Sequence, residues 1–279
     1  MQVFLNGQFV PEERAVVSVF DRSFLYGDGL FEVVRISNGQ PFCWAQHWER
    51  FAHGAAWLKI QPPFSSAEVQ KFAGQLIAQN KMLDALLRLT LSRGVGPRGY
   101  SPKGADAPTF VMTLHPAPDP QTPPRWKLVT ASQRLPAGEP LAQFKNANKL
   151  PQILARAQAD EAGADEALLL NTDGWVVEGT TSNLFWIEHG AVCTPPLVAG
   201  ILPGVTRAVV LELCAKLNLP LQEKEISPDQ LRRADGIFLS MSSWGVVEVG
   251  SLDGQGMGSS PLVAKIRAAY DALLHAECA

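Results

Sequence analysis

The chain has 279 residues, 46% hydrophobic and 18% charged, with a net charge of -3; that is long enough for two domains with sizeable cores, and no broad basic field exists for nucleic acid. Cys43, Cys193, Cys214 and Cys278 are scattered, with no C-x-x-C pair and no histidine at ligand spacing, so no metal site is expected and the thiols read as reduced and structural, in a cytoplasmic protein. The first residues lack a basic start followed by an apolar run, and no segment nears ~18 uninterrupted apolar residues, so neither secretion nor membrane insertion is expected.

In chain order, "QVFLNGQFV" and "LFEVVRISNGQPFCW" each carry an Asn-Gly turn between β-prone runs, predicting antiparallel hairpins. Two helices are predicted next, from about Ala45 to Leu58 and from Ser66, as its cap, to Asn80. Strands "ALLRLTLSR" and "TFVMTLH" follow. The stretch "PAPDPQTPPR" carries five prolines in ten residues, which neither a sheet interior nor a helix accepts, and it reads as an extended connector. The predicted division is a small N-terminal α+β domain over 1–116, a linker over 117–125 and a larger C-terminal domain over 126–279.

The second part opens with the strand "WKLVTASQ" and a helix from Pro151 to Ala162, stopped by Gly163. Three strand-like runs between Glu166 and Pro196 are joined by Asp173-Gly174 and His189-Gly190 turns. A helix from about Gly204 to Leu217 and two helices starting at Ser227-Pro228 and Ser260-Pro261 complete the prediction. Strands and helices mixed in both parts argue for an α+β fold.

Nucleotide-binding glycine motifs, H-E-x-x-H and G-x-S-x-G are all absent. Lysine, arginine and carboxylate remain as candidate chemistry. In "AGILPGVTRAVVLEL" the turn Pro203-Gly204 leads into a helix whose first N–H groups and Thr206 hydroxyl can cradle an anion, or simply start a helix. Glu178 ends a β-branched run, either as a solvated charge or as the partner of a protonated ring nitrogen. Lys145 and Lys149 in "LAQFKNANKLPQIL" have no carboxylate at i,i+4 spacing; alone, either reads as a surface charge.

Taken in order, "FDRSFLYGDGLFEVVR", "QHWERF", "SRGVGPRGYS", "FKNANKL", "ADEALLLNTDGWVVEGTTSNLFW", "CTPPLVAGILPGVTR" and "ADGIFLSMSSWGVVEVGSLDG" resemble the class-IV aminotransferase family, from about residue 3 to residue 254. The resemblance implies a two-domain fold type IV enzyme that uses pyridoxal 5'-phosphate, with a small α/β domain and a larger β-barrel-like domain with helices. It further implies Lys145 as the Schiff-base lysine and general base, Glu178 on the pyridine nitrogen, and Arg50, Val205, Thr206 and Ser242 on the phosphate. Lys149 falls on a variable position and reads as a helix-entry charge. Gln46 stands where the family usually has glutamate.

Within the family, the spacing Lys145-x-x-Asn148 is one residue shorter than in branched-chain enzymes, which also carry a tyrosine next. D-Amino-acid aminotransferases resemble "GDGLFEVV" and Arg98 but usually have tyrosine where Phe31 stands and histidine where Tyr100 stands. The segment "SRGVGPRGYS" resembles aminodeoxychorismate lyases of folate biosynthesis, which eliminate pyruvate to leave 4-aminobenzoate. That resemblance implies Arg98, Tyr100 and Phe31 as substrate residues, Arg98 forking a carboxylate, and Arg93 as structural. The expected activity is thus the lyase, with a transaminase on D- or broad aliphatic amino acids, less so branched-chain L-amino acids, as the alternative. A non-catalytic protein on this fold is expected to lack the lysine, the glutamate or the phosphate cradle, and all three are present. The family also implies a homodimer with active sites near the subunit boundary, acting on small amino and carboxylate substrates without nucleic acid or membrane.

Overall fold

A computed structural model describes residues 1–118 and 125–279. The chain divides into two compact units. The first comprises Met1–Pro118, Phe144–Asn148 and Leu274–Ala279; the second comprises Asp119–Gln143 and Lys149–Leu273. The break after Pro118 falls inside the proline-rich stretch, although the connector predicted there lies mostly outside the described residues, at 119–124. The two short segments returned to the first unit are not part of the division expected at 1–116 and 126–279. Their assignment rests on contacts distant in sequence, described below.

The first unit contains β1 (Gln2–Leu5), β2 (Gln8–Pro11), α1 (Arg22–Tyr26), β3 (Gly29–Ser37), β4 (Gln40–Pro41), α2 (Trp44–Leu58), α3 (Ser66–Asn80), β5 (Ala85–Ser92) and β6 (Thr109–Pro116). Its antiparallel sheet runs β2-β1-β6-β5-β3-β4. Both predicted hairpins form, with Asn6 and Gly7 at positive φ in the first turn and Asn38 and Gly39 in the second. Alternation in the central strands buries Leu30, Val34, Leu87, Leu89, Leu91, Phe110 and Met112 in one core with Phe51, Ala55 and Leu76 of α2 and α3. Each such side chain contributes roughly 1.5–3 kcal/mol. Phe31, Val33, Arg88 and Thr90, at the alternate positions, are only half-buried.

Helix α3 is capped by Ser65, one residue before the expected Ser66: the Ser65 hydroxyl and the Glu68 carboxylate form a capping box. Ser66 serves another purpose, accepting a hydrogen bond from Trp44 Nε1 at 3.1 Å. Helix α1 was not anticipated; its five residues are too few to show a period, but Asp21 caps it and Gly27 ends it at φ 68°.

The second unit contains β7 (Trp126–Leu135), α4 (Leu150–Glu161), β8 (Glu166–Asn171), β9 (Val176–Gly179), β10 (Asn183–Glu188), β11 (Ala191–Thr194), α5 (Val205–Lys216), β12 (Leu221–Glu223), α6 (Pro228–Leu231), β13 (Gly236–Met241), β14 (Gly245–Leu252), β15 (Gln255–Gly256) and most of α7 (Pro261–Glu277). Strand β9 pairs with both β8 and β10, so β10, β13, β14, β7, β8 and β9 form a closed circuit, as the expected barrel-like domain requires. The run from Glu166 to Pro196, expected as three strands, makes four, because a turn after Gly179 splits the middle run into β9 and β10. Cover on both faces explains the continuous burial of β8: Leu168 and Leu170 share a core with Leu184 and Leu239, while Ala167 and Leu169 pack with Ala155 and Ala159 of α4, a pattern that alternation alone cannot reveal. All four cysteines are buried and free.

Candidate active site

In the first unit, residues 144–148 run beside β3. Phe31 N–H donates to the Lys145 carbonyl at 2.9 Å and Ala147 N–H donates to the Gly29 carbonyl at 2.9 Å, while Leu30 and Asn146 form an antiparallel bridge. Phe144 plugs the segment into α2: its ring centroid lies 5.4 Å from that of His53 and 5.0 Å from that of Trp57, over Gly54. Asn148 Nδ2 donates to the Gly27 carbonyl at 3.1 Å. A side chain on Gly27 would place its Cβ 2.4 Å from Asn148 Oδ1, so the close approach and the positive φ both require glycine.

This register aims the Lys145 side chain over Phe31, with Nζ 4.9 Å from the ring centroid. The Arg88 guanidinium lies 3.9 Å from the same centroid. Two cations on one ring repel each other, and the ring's negative face offsets part of that cost. Burial pushes the Arg88 pKa below its ordinary value. Its side chain hydrogen-bonds Thr90 Oγ1 and has no carboxylate partner among the described residues. Sequence reasoning missed Arg88, since a charge in an alternating strand reads as a solvated face; its pairing opposite Val33, next to Phe31, is the signal that strand register supplies.

Arg50, on α2, grips Glu32 of β3 with both edges of a fork: Nε to Oε1 at 2.7 Å and Nη2 to Oε2 at 2.8 Å. His47 Nδ1 lies 2.9 Å from Glu32 Oε2. Glu32 is fully buried. Burial opposes its ionisation, but the Arg50 charge and the hydrogen bonds from His47 and Arg50 prevail and hold its pKa at about 2. Burial pushes the His47 imidazole the other way, below its ordinary value, against the pull of Glu32.

Arg98 and Tyr100 lie on the exposed loop after β5. Neither shares a hydrogen bond, ion pair or ring contact with Phe31 among the described residues. Arg93 is buried and bonds Asp28 and the carbonyls of Leu58 and Lys59, a structural placement.

In the second unit, Glu178 ends β9. Its Oε2 accepts from Leu202 N–H at 3.0 Å and from Asn183 Nδ2 at 3.2 Å. The same amide donates to the Leu202 carbonyl at 2.9 Å, so Asn183 ties the carboxylate to the chain entering α5. Gly204 is the N-cap of α5 and gives it no side-chain cap; a Cβ there would sit 1.9 Å from Asn183 Oδ1. The first N–H groups of the helix, at Val205 and Thr206, therefore stand without an internal acceptor. Thr206 is buried. Across the ladder from Asn183, Ser240 buries a hydroxyl that has no partner among the described residues. Ser242 lies half-buried in the β13–β14 turn. These donors fit a phosphate ester, and the fixed carboxylate fits a protonated ring nitrogen.

One more residue of this unit escaped sequence reasoning. Glu166 is buried and gathers the hydroxyls of Thr180, Thr181 and Ser182, fixing the turn after Glu178. Lys149, read as a helix-entry charge, does precede α4, but it is half-buried: burial lowers its pKa while the charge of Glu178 opposes the shift.

The model of the class IV amino-transferases matches residues 29–252. A putative branched-chain-amino-acid aminotransferase of Methanocaldococcus jannaschii is 36% identical over 256 residues, covering 91% of this chain and 89% of its own. D-Alanine aminotransferase of Bacillus licheniformis is 32% identical and covers 100% and 99%. The crystal structure of a putative 4-amino-4-deoxychorismate lyase from Legionella pneumophila superposes with a TM-score of 0.88 at 30% identity, covering 94% and 98%. No described helix is long and apolar enough to cross a membrane. With a family match spanning most of the sequence and relatives of this identity over nearly its whole length, the chain belongs to the class IV aminotransferases, enzymes of fold type IV that depend on pyridoxal 5'-phosphate.

Proposed function

We propose that this enzyme is an aminodeoxychorismate lyase, with Lys145 as its catalytic residue. The observation that carries the reading is the Lys145 amine set over Phe31 beside the half-buried Arg88, an amine and a carboxylate receptor on one ring. The segment "SRGVGPRGYS" supports the lyase among the activities of the family. Pyridoxal phosphate, when bound, supplies an electron sink for charge developing at carbon next to the substrate nitrogen.

The chain's own residues divide the remaining work. Lys145 would hold the cofactor through its aldehyde carbon and, as a neutral amine, would take the substrate's ring proton at Nζ. Pyruvate leaves and 4-aminobenzoate forms. Glu178 keeps the cofactor ring nitrogen protonated, and Arg50, Val205, Thr206 and Ser242 hold the phosphate. Phe31, Arg98 and Tyr100 bind substrate, with Arg88 as a further carboxylate receptor. The enzyme works as a cytoplasmic homodimer on small amino and carboxylate substrates.

The second reading is a transaminase. It is favoured by the Methanocaldococcus and Bacillus relatives and by Arg88, which suits a dicarboxylate acceptor equally well. The test is incubation of the cofactor-loaded enzyme with aminodeoxychorismate, and separately with D-alanine or L-leucine plus 2-oxoglutarate. Pyruvate and 4-aminobenzoate in the first reaction establish the lyase; glutamate in the second without 4-aminobenzoate in the first replaces it with the transaminase.

A further inference from the structure

The loop between β5 and β6 carries Arg98 and Tyr100, and one short helix organises it from base to tip. At the base, Asp21, the cap of α1, is buried and accepts hydrogen bonds from the hydroxyls of Ser92 and Thr109, the residues where the loop leaves one strand and enters the next. Asp21 also bridges Val95. The two legs touch so closely that a Cβ on Gly94 would lie 1.9 Å from the Ala107 carbonyl oxygen.

At the tip, three successive carbonyls converge on a single guanidinium. Arg22, only 3% exposed, donates from Nη1 to the carbonyls of Gly99 at 2.8 Å and Ser101 at 3.2 Å, and from Nη2 to that of Tyr100 at 3.1 Å. Its Nε donates to Asp28 at 2.8 Å. Tyr26, one turn along α1, accepts from Gly99 N–H at 3.1 Å and packs edge-on against Tyr100, with centroids 5.6 Å apart. A backbone curled with its carbonyls inward on a buried cation turns its side chains outward, and Tyr100 is 87% exposed. Asp28 carries the restraint inward: it also accepts from Arg93, which is fastened to the end of α2. At the other end of α1, Gly27 receives Asn148, three residues beyond Lys145.

We propose that Arg22 is a positioning residue for substrate binding: its guanidinium, with Tyr26 and Asp28, fixes the loop so that Arg98 and Tyr100 are presented in one orientation. Specificity for a carboxylate-bearing substrate is then set by how α1 grips the loop backbone as well as by the residues on the loop. This rests on the reading of Arg98 as a carboxylate receptor.

The test uses the cofactor-loaded enzyme and the variants R22Q, Y26F and R98A. In R22Q, trypsin cleavage at Arg98–Gly99 accelerates about 10-fold as the loop opens locally. KM for aminodeoxychorismate or D-alanine rises about 10-fold with kcat held within about threefold, and the absorbance of the bound cofactor is unchanged. Placing R22Q in the R98A background adds little further to KM. Y26F, which removes a single acceptor, shows the same changes at smaller size and stands in should R22Q fail to fold. Wild-type cleavage and KM in R22Q, or in Y26F in its place, beside a defective R98A overturn the clamp while leaving the reading of Arg98 intact. An R98A variant with normal KM overturns that reading, and the substrate role of Arg22 with it.

Discussion

The two units prepare charge by different means. In the first, cations are held against a side chain or ring, Arg50 by the Glu32 fork, Lys145 and Arg88 by the face of Phe31, and Arg22 by Asp28 together with loop carbonyls. In the second, the anion-binding capacity sits on backbone N–H groups at the start of α5, and the Glu178 carboxylate is oriented by a backbone N–H and an amide. Side-chain charges can be moved or neutralised one at a time, whereas a backbone donor can be changed only by disturbing the fold that aims it. The first unit should therefore yield clean functional losses, and the second should couple function to stability.

The sharpest test of that contrast is Lys145→Ala, which removes a charge without removing a support. Activity should fall by at least about 10³-fold and the absorbance of the bound cofactor should vanish, with the urea midpoint little changed; survival of the absorbance would end the assignment. Glu32→Gln breaks the contrast from within the first unit, because it strips the partner from a buried arginine. A loss of about 3–5 kcal/mol in urea unfolding is expected.

The same carboxylate predicts an acid limit. Its pKa is about 2 in the folded protein against an ordinary 4.5, so its stabilisation is complete above about pH 4.5 and is lost as pH falls towards 2. His47, held below its ordinary 6.5, acts with the same sign, since the unfolded chain takes up its proton first. Stability measured from pH 7 down to 3 should fall steadily, and less steeply in E32Q.

Gly204→Ala tests the second unit. The new Cβ meets Asn183 Oδ1, so a stability loss of about 1–3 kcal/mol should accompany weaker cofactor retention on dialysis; one without the other would contradict the coupling. Ser65→Ala is the smallest effect. It removes the α3 capping box for about 1 kcal/mol, with KM and kcat unchanged.

What the sequence disclosed follows the same line. Hairpin turns, helix ends and the lysine's motif depend on neighbours within a few residues, and most elements fall where local pattern puts them; the Ser65 cap is one position away. The hidden part depends on distant partners. The affiliation of Lys145 with the first unit comes from two backbone hydrogen bonds to β3 and the Phe144 plug on α2, joining residues about a hundred positions apart. Asn183 stood inside a recognised motif, yet its task became visible only when β9 and β10 paired. Arg88, Glu166 and Arg22 are charges that a linear reading assigns to solvent, and each acquires its meaning from a partner brought by the fold.

The return of residues 144–148 and 274–279 to the first unit also fixes an order of assembly. During synthesis, β1 to β6 emerge while the edge of β3 still lacks its lysine-bearing neighbour. The Asn38 amide waits longer, for the Cys278 carbonyl it will bond. The first unit is therefore whole only once residues 144–148 and 274–279 have been made, and a polypeptide stopped after residue 118 carries every strand of that unit's sheet but lacks Lys145.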